Sequence, residues 1–220
     1  MKATAFLAGL LLLAVALSAC ADGPFGGPDA CDQDSALFVD EFDGEQECGW
    51  VLYQGSGGSV QIQDGALILE SGQPGQIWWT NAGRQFDDVR IATTVRRVSG
   101  PEDNAFGIIC RYQSKDNFYL FLISSDGFYA IGKYQSGSPQ IEYLTGDGEF
   151  QFSEAINQGA ASNDLIATCQ GNELSMAVNG TQLATVTDPT FVTGDIGLGA
   201  STFQPGTAII AFEQIRVDLP

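Results

Sequence analysis

Apolar and polar positions alternate in short runs along most of this chain, and no apolar stripe at helical spacing is sustained. The densest stretch is AFGIICRYQSKDNFYLFLISSDGFYAIGKY, from Ala105 to Tyr134. It holds three apolar runs, Ala105 to Tyr112, Phe118 to Ile123 and Phe128 to Tyr134, parted by Gln113 to Asn117 and by Ser124 to Gly127. Runs of this length, rich in Ile, Phe and Tyr and bounded by Asp, Asn, Ser and Gly, predict strands joined by tight turns, because branched and aromatic side chains fit a pleated surface. The stretch therefore reads as a three-stranded antiparallel meander.

The same signal recurs on both sides of it. Strands are expected at Leu37 to Phe42, Trp50 to Gln54, Val60 to Gln63, Ala66 to Glu70, Gln76 to Thr80 and Val89 to Val98. Others follow at Gln140 to Leu144, Asp164 to Gln170, Glu173 to Asn179, Gln182 to Thr187, Gly194 to Ser201 and Thr207 to Val217. Gly, Pro, Asp or Asn punctuates nearly every junction, as at Asp64-Gly65 and Gly100-Pro101. In Leu174 to Val186 alternation runs up to Asn179-Gly180 and resumes after it, and Asn-Gly supplies the two positive-φ positions of a type I′ hairpin turn. Phe152 to Ala161 is the best candidate for a short helical turn. Many short strands with regular turns predict an all-β, antiparallel β-sandwich or barrel spanning 37–220.

The N-terminus has a different pattern. Met1 to Cys20, MKATAFLAGLLLLAVALSAC, has one Lys, an apolar run from Ala3 to Leu17 and small residues before Cys20. This is the layout of a secretory signal, too short for an ordinary membrane-spanning helix. Leu17 to Cys20 resembles the bacterial lipobox, which implies a signal peptide over 1–19, a lipidated Cys20 and a membrane-anchored lipoprotein of the cell envelope. Residues 20–36, rich in Gly, Pro and Asp, are expected to form a flexible spacer.

Composition then narrows the chemistry. Besides Cys20 there are four cysteines, Cys31, Cys48, Cys110 and Cys169, an even number that suits disulfides in an oxidising compartment. Of three pairings, Cys31 with Cys48 closes a short loop and Cys110 with Cys169 joins two core strands; buried free thiols are the alternative. Lys and Arg number 9 against 27 Asp and Glu, a formal net charge of −18, which repels phosphate backbones and argues against a nucleic-acid partner. The absence of His excludes Ser-His-Asp and Cys-His nucleophilic pairs and His-ligated zinc. Hydrolytic chemistry would have to rest on carboxylates.

The meander, the Asn179-Gly180 hairpin, Asp188, the strand Gly194-Asp195-Ile196-Gly197-Leu198 and a closing FEQIRVDL strand occur in that order. From about Phe38 to Leu219 the chain thereby resembles concanavalin A-like jelly-roll domains of the lectin and glucanase type, including laminin-G-like and 3-keto-disaccharide hydrolase-like domains. The resemblance implies a jelly-roll β-sandwich. It implies a carbohydrate or cell-surface glycan as partner, with two rivals: a carboxylate-dependent glycan hydrolase, and a non-catalytic structural or protein-interaction module.

Within that frame, a sugar-binding surface pairs a stacking aromatic with nearby polar groups. Trp78, Trp79, Arg111, Tyr129 and Lys133 supply these types. Strand parity lets only one of Trp78 and Trp79 enter the core, so the other points outward. By the same parity Tyr129 and Lys133 share one face and Phe128 and Tyr134 the other. Core packing is the competing account of Tyr119, Phe121 and Tyr129. Glu41, Asp43 and Glu45 match in form the Glu-x-Asp-x-Glu catalytic strand of laminarinase-type enzymes, yet Gly44 interrupts them and they stand at the domain's N-terminus. No catalytic residue is assigned. The jelly-roll resemblance also allows a structural calcium ion where the first and last strands meet, with Asp40, Asp43 and Asp218 as oxygen ligands.

Overall fold

The computed structural model describes residues 31–32, 36–44 and 48–220. Sixteen strands and no helix occur among them. In chain order they are β1 (Phe38–Asp40), β2 (Tyr53–Gln54), β3 (Gly58–Gln63), β4 (Ala66–Ser71), β5 (Ile77–Asn81), β6 (Val89–Ser99), β7 (Asn104–Ser114) and β8 (Asn117–Ile123). Then come β9 (Phe128–Tyr134), β10 (Glu142–Tyr143), β11 (Gln151–Phe152), β12 (Asn163–Gln170), β13 (Glu173–Val178), β14 (Thr181–Thr187), β15 (Asp195–Thr202) and β16 (Ala208–Asp218).

Two antiparallel sheets result. The first runs β14-β13-β12-β6-β16-β4-β3-β2, with β1 also on β16; the second runs β10-β9-β8-β7-β15-β5, with β11 also on β9. The predicted meander is β7-β8-β9, and its turns are those the polar breaks specify. The Asn179-Gly180 hairpin joins β13 to β14, with φ of 51° and 80° at its two central residues, as a type I′ turn requires.

Between the sheets lies one core. Its side chains include Phe106, Ile108, Tyr119, Phe121, Ile131 and Leu198 from the second sheet and Leu67, Ile91, Leu165, Met176, Phe212 and Ile215 from the first. Cys110 of β7 and Cys169 of β12 form a disulfide across this core, and Cys31 and Cys48 form the other. Both bonds match the expected pairing.

Two local expectations need correction. Phe152 to Ala161 forms no helix: Gln151–Phe152 pairs with β9, and the chain then turns, with Ser153 Oγ accepting from the Ala155 N–H and Ile156 dropping into the core. The first strand ends at Asp40 instead of Phe42. The Asp40 carboxylate accepts from the Phe42 N–H at 2.7 Å, an Asx-type turn that puts Phe42 at φ 53°. Glu41 and Asp43 therefore do not stand on a strand, and the alternation that would align them with Glu45 does not apply; Glu45 itself lies outside the described residues.

Candidate functional site: an aromatic groove on the outer face of the second sheet

The meander is apolar on both of its faces. Tyr119, Phe121 and Ile123 point into the sandwich, whereas Phe118, Leu120 and Leu122 point away from it and form a second cluster with Ala105 and Ile109. An outward sheet face of an antiparallel sandwich is ordinarily polar. Here it is apolar, and Phe118, Leu120 and Leu122 are nonetheless buried, so other parts of the chain cover them.

Part of the cover is the chain between β9 and β11. Ile141, Tyr143 and Phe150 pack on the outer cluster. Gly132 makes room for them, since a Cβ there would stand 2.8 Å from Ile141 Cγ2 and 3.4 Å from Tyr143 Cδ1. Toward the opposite edge the face stays open. Strand register aligns Trp79, Gly199, Gly107, Leu122 and Ala130 in one row across β5, β15, β7, β8 and β9. Of that row Trp79 and Leu122 reach an open groove, and Gly199, Gly107 and Ala130 are buried.

A bulge in β7 completes the surface. Ile109 faces outward and Cys110 inward, so strict alternation would send Arg111 out and Tyr112 in. Arg111 instead takes φ 53°, and register shifts occur here against both β8 and β15. One extra residue reverses the parity downstream, as a β-bulge does. Arg111 turns inward and Tyr112 joins the outer cluster.

The product is a continuous line of rings. Trp79 lies 6.4 Å from Tyr112 and 5.7 Å from Phe118, and Phe118 lies 5.7 Å from Tyr134, centroid to centroid. Tyr143, Phe150 and Phe203 form a second line, at 4.9 and 6.1 Å. Trp79, Phe118, Tyr134, Tyr143 and Phe203 all line one groove of about 900 Å³. Its polar lining includes Gln76, Gln140, Ser138 and Ser201, with Lys115, Asp116 and Glu142 as its charges. The hydroxyls of Tyr112, Tyr134 and Tyr143 bond to no protein group among the described residues, unlike those of Tyr53, Tyr119 and Tyr129. A smaller hollow of about 490 Å³ continues the groove over the β5 edge, sharing Gln76, Ile77 and Trp79 and adding Val51, Tyr53 and Tyr112.

Of the expected site residues, the structure brings Trp79 into the groove, and Trp78 lines only the smaller hollow at the β5 edge. Trp78, on the opposite face by parity, packs against the core and under the backbone of β3: a Cβ on Gly58 would meet its ring at 2.5 Å. Arg111 is 1% exposed and serves as an internal strut. Its Nη1 donates to the carbonyls of Gly171 at 2.7 Å and Phe191 at 2.8 Å, and its Nη2 donates to Asp88 at 3.1 Å. Tyr129 turns inward and donates its hydroxyl to the Leu183 carbonyl at 3.1 Å.

Lys133 is also buried. Its ammonium donates to Asp188 at 2.7 Å, lies 3.3 Å from Glu142, and reaches Thr190 Oγ1 at 3.4 Å. Burial disfavours both charges of the Lys133–Asp188 pair, yet their mutual attraction and the hydrogen bonds outweigh it. The Lys133 ammonium titrates above its ordinary value, and the Asp188 carboxyl is held well below the usual carboxylate range. Tyr119 donates to the same carboxylate at 2.6 Å, and burial first, then that bond, pushes its hydroxyl up to about 12. Arg111, Tyr129 and Lys133 thus do not converge with Trp79 on an exposed patch.

Of the calcium candidates, Asp43 lies near enough to Asp40 to add to the rise that burial gives its carboxyl, and Asp218 stands apart from Asp40. Asp40 accepts from Trp50 Nε1 at 2.8 Å and lies opposite Ile215, whereas Asp218 follows Val217 at the other end of the pairing and binds Arg216. Among the described residues no group of three or more His, Cys, Asp or Glu is placed to hold a metal ion. Cys20 lies outside the described residues. Of the strands under the groove, β5, β7, β8 and β9 carry no Asp or Glu, and the one acid of β15, Asp195, accepts from the Gly83, Arg84 and Ile196 N–H groups.

Sequence reading did not identify Phe118, Tyr143 or Phe203 as groove residues, Tyr112 as lining the hollow beside it, or Phe150 as packing on the outer cluster. Parity could have found Phe118 and Tyr134, which pair across β8 and β9 on the outer face. For Tyr112 the bulge hid the parity, and for Tyr143, Phe150 and Phe203 only the path of the connecting chain decides.

No protein-family model matches the chain, and no curated protein is significantly similar to it in sequence. Solved structures do share its fold. Carbohydrate-binding module CBM66 from Bacillus subtilis superposes with a TM-score of 0.60 at 14% identity, over 77% of this chain and 95% of that one. A beta-glucanase from Bacillus licheniformis gives 0.58 at 10% identity, over 86% and 100%. A GH43 protein from the same organism gives 0.60 at 15% identity, over 83% of this chain but 39% of that one, so the likeness is to one part of it. At these identities the likeness establishes the fold: a concanavalin A-like, galectin-like jelly-roll β-sandwich.

Proposed function

We propose that the protein binds carbohydrate through the outer groove of its second sheet, without cleaving it, as an exported lectin-like domain. The observation that carries this reading is the pair of half-buried rings Trp79 and Tyr134, packed on the fully buried Phe118, along a groove of about 900 Å³, with Tyr112 lining the smaller hollow beside it. Sugar rings have apolar C–H faces and a hydroxyl rim. Aromatic rings flanked by amides and unpaired tyrosine hydroxyls complement both. That a carbohydrate-binding module and glycan-cleaving enzymes share this fold supports a carbohydrate ligand.

The hydrolase alternative is disfavoured by the groove's floor. Carboxylate catalysis needs two acids facing each other across the bound ring. The groove's Asp116 and Glu142 lie in a turn and on the short outer β10, each beside a lysine ammonium. Export is supported by the two disulfides, and attachment to a membrane through a lipidated Cys20 belongs to the same proposal on the strength of Leu17 to Cys20.

Affinity electrophoresis through gels containing soluble polysaccharides tests the reading, with titration calorimetry on any polymer that retards the protein. Binding to at least one polymer is expected, weakened about 10- to 100-fold by Trp79→Ala. No retardation by any polymer, or release of reducing sugars from a bound one, would overturn it.

A further inference from the structure

We infer that the groove takes a stretch of an uncharged polysaccharide several rings long and turns away acidic ones. This rests on the carbohydrate-binding reading and narrows it to a ligand class.

The first support is the fate of the positive charges. Recognition of a uronate or sulfate group calls for an available Arg or Lys, the donors that match a carboxylate or sulfate. Each of the six arginines already has a carboxylate within 4.0 Å. Lys133 is buried against Asp188 and Glu142. Lys115 is the single exposed cation in the groove lining, and its ammonium stands 3.9 Å from Asp116, which lines the same groove. With Glu142 added, the lining carries one positive and two negative charges, on a chain of formal net charge −18. An acidic sugar placed there would lose hydration and meet repulsion instead of a partner.

The second support is extent. The lining draws on β10, β9, β8, β7, β15 and β5, so the surface crosses about 24 Å of sheet at the usual strand spacing of about 4.8 Å. It continues beyond β5 into the hollow shared through Gln76, Ile77 and Trp79. A single ring would use one fraction of the aromatic line. A chain of linked rings reaches all of its accessible members, Trp79, Tyr134, Tyr143 and Phe203, and neutral amides and hydroxyls suffice to read its hydroxyl rim.

The test takes the neutral polymer that binds in the electrophoretic assay and compares it with the same polymer oxidised at its primary alcohols to carboxylates. At an ionic strength of about 0.01 M the oxidised form is expected to bind about tenfold more weakly, and the gap is expected to shrink at about 0.15 M salt. The double variant Asp116→Asn, Glu142→Gln is expected to narrow the gap. Oligomers of one or two rings are expected to bind about tenfold more weakly than a longer oligomer. Equal or tighter binding of the oxidised polymer, a gap unmoved by the double variant, or a disaccharide that binds as well as the longer oligomer would each overturn this inference while leaving carbohydrate binding intact. Failure of every polymer, neutral and acidic, would instead sink the carbohydrate-binding reading itself.

Discussion

The two faces of the second sheet put similar raw materials to opposite uses. Its inner face holds the charged and hydrogen-bonding groups that a binding site would be expected to display: Arg111, Lys133 and the Tyr119 hydroxyl, each consumed by partners inside the protein. Its outer face holds half-buried rings with few internal polar partners, Trp79, Tyr112 and Tyr134, packed around the fully buried Phe118. Residue type alone therefore misleads. What separates structure from site is whether a polar tip is already satisfied, because a buried charge must be paired to be tolerated, whereas a surface ring left uncovered is available.

The sharpest way to break that contrast is to attack the inner ion pair. Lys133 and Asp188 are 9% and 11% exposed at their side chains, so Lys133→Met leaves a carboxylate buried without its cation. Loss of about 3–5 kcal/mol in urea unfolding is expected, with polysaccharide affinity unchanged in the protein that remains folded. A Lys133→Met protein of ordinary stability that had lost binding would make the inner face the site. Because the Asp188 carboxyl is held below its unfolded value, the stability it contributes is present above pH about 3.9 and fades as pH falls further. Asp188→Asn is expected to flatten that acid limb.

Tyr119→Phe tests the same face more gently. The hydroxyl donates to Asp188 and accepts from the Phe191 N–H at 3.0 Å, so its removal strands a buried donor and is expected to cost about 1–3 kcal/mol. Its pH signature has a definite sign. A hydroxyl pushed up to about 12 when folded, against about 10 unfolded, contributes stability that is complete below pH about 10 and is lost as pH rises through about 12. The urea midpoint of the wild type should therefore fall over that window, and the variant's should fall less. A residual slope belongs to Lys133, whose raised value has the same sign. An identical alkaline limb in both proteins would remove Tyr119 from the inner network.

How much of this was legible follows from which interactions are local. The meander, the Asn179-Gly180 turn and the opposite placement of Trp78 and Trp79 come from alternation and turn chemistry, which a sequence displays directly. Both disulfides were also reachable, since four cysteines allow few pairings. Arg111 was not legible, because a one-residue bulge with φ 53° reverses the face of everything after it, and bulges leave no periodic trace. Nor was the destination of Lys133. Its partner Asp188 lies 55 residues downstream, beyond three hairpins. The second aromatic line was hidden for a similar reason: Tyr143, Phe150 and Phe203 sit on or beside connections whose path over the sheet is set by tertiary packing.

The smallest expected change in stability comes from the outer face. Tyr134 is half-buried, stacks on Phe118 at 5.7 Å and has no protein partner for its hydroxyl, so Tyr134→Leu keeps most of the apolar contact and loses the flat ring. Unfolding stability should move by no more than about 1 kcal/mol. Affinity for the polysaccharide should nevertheless fall about tenfold, roughly 1.4 kcal/mol, because the ring face and its free hydroxyl are what the ligand would use. Calorimetry and urea titration on the same preparation separate the two effects. Paired with Tyr119→Phe, this substitution sets two tyrosines of one strand pair against each other: Tyr119 lies opposite Lys133, and Tyr134 opposite Phe118, one residue along on each strand. If the inner change alters folding and the outer change alters binding, a single step of strand register separates the two roles. If Tyr134→Leu binds as tightly as the wild type, the aromatic line is packing, and the groove's ligand must be read from the Tyr143, Phe150 and Phe203 side alone.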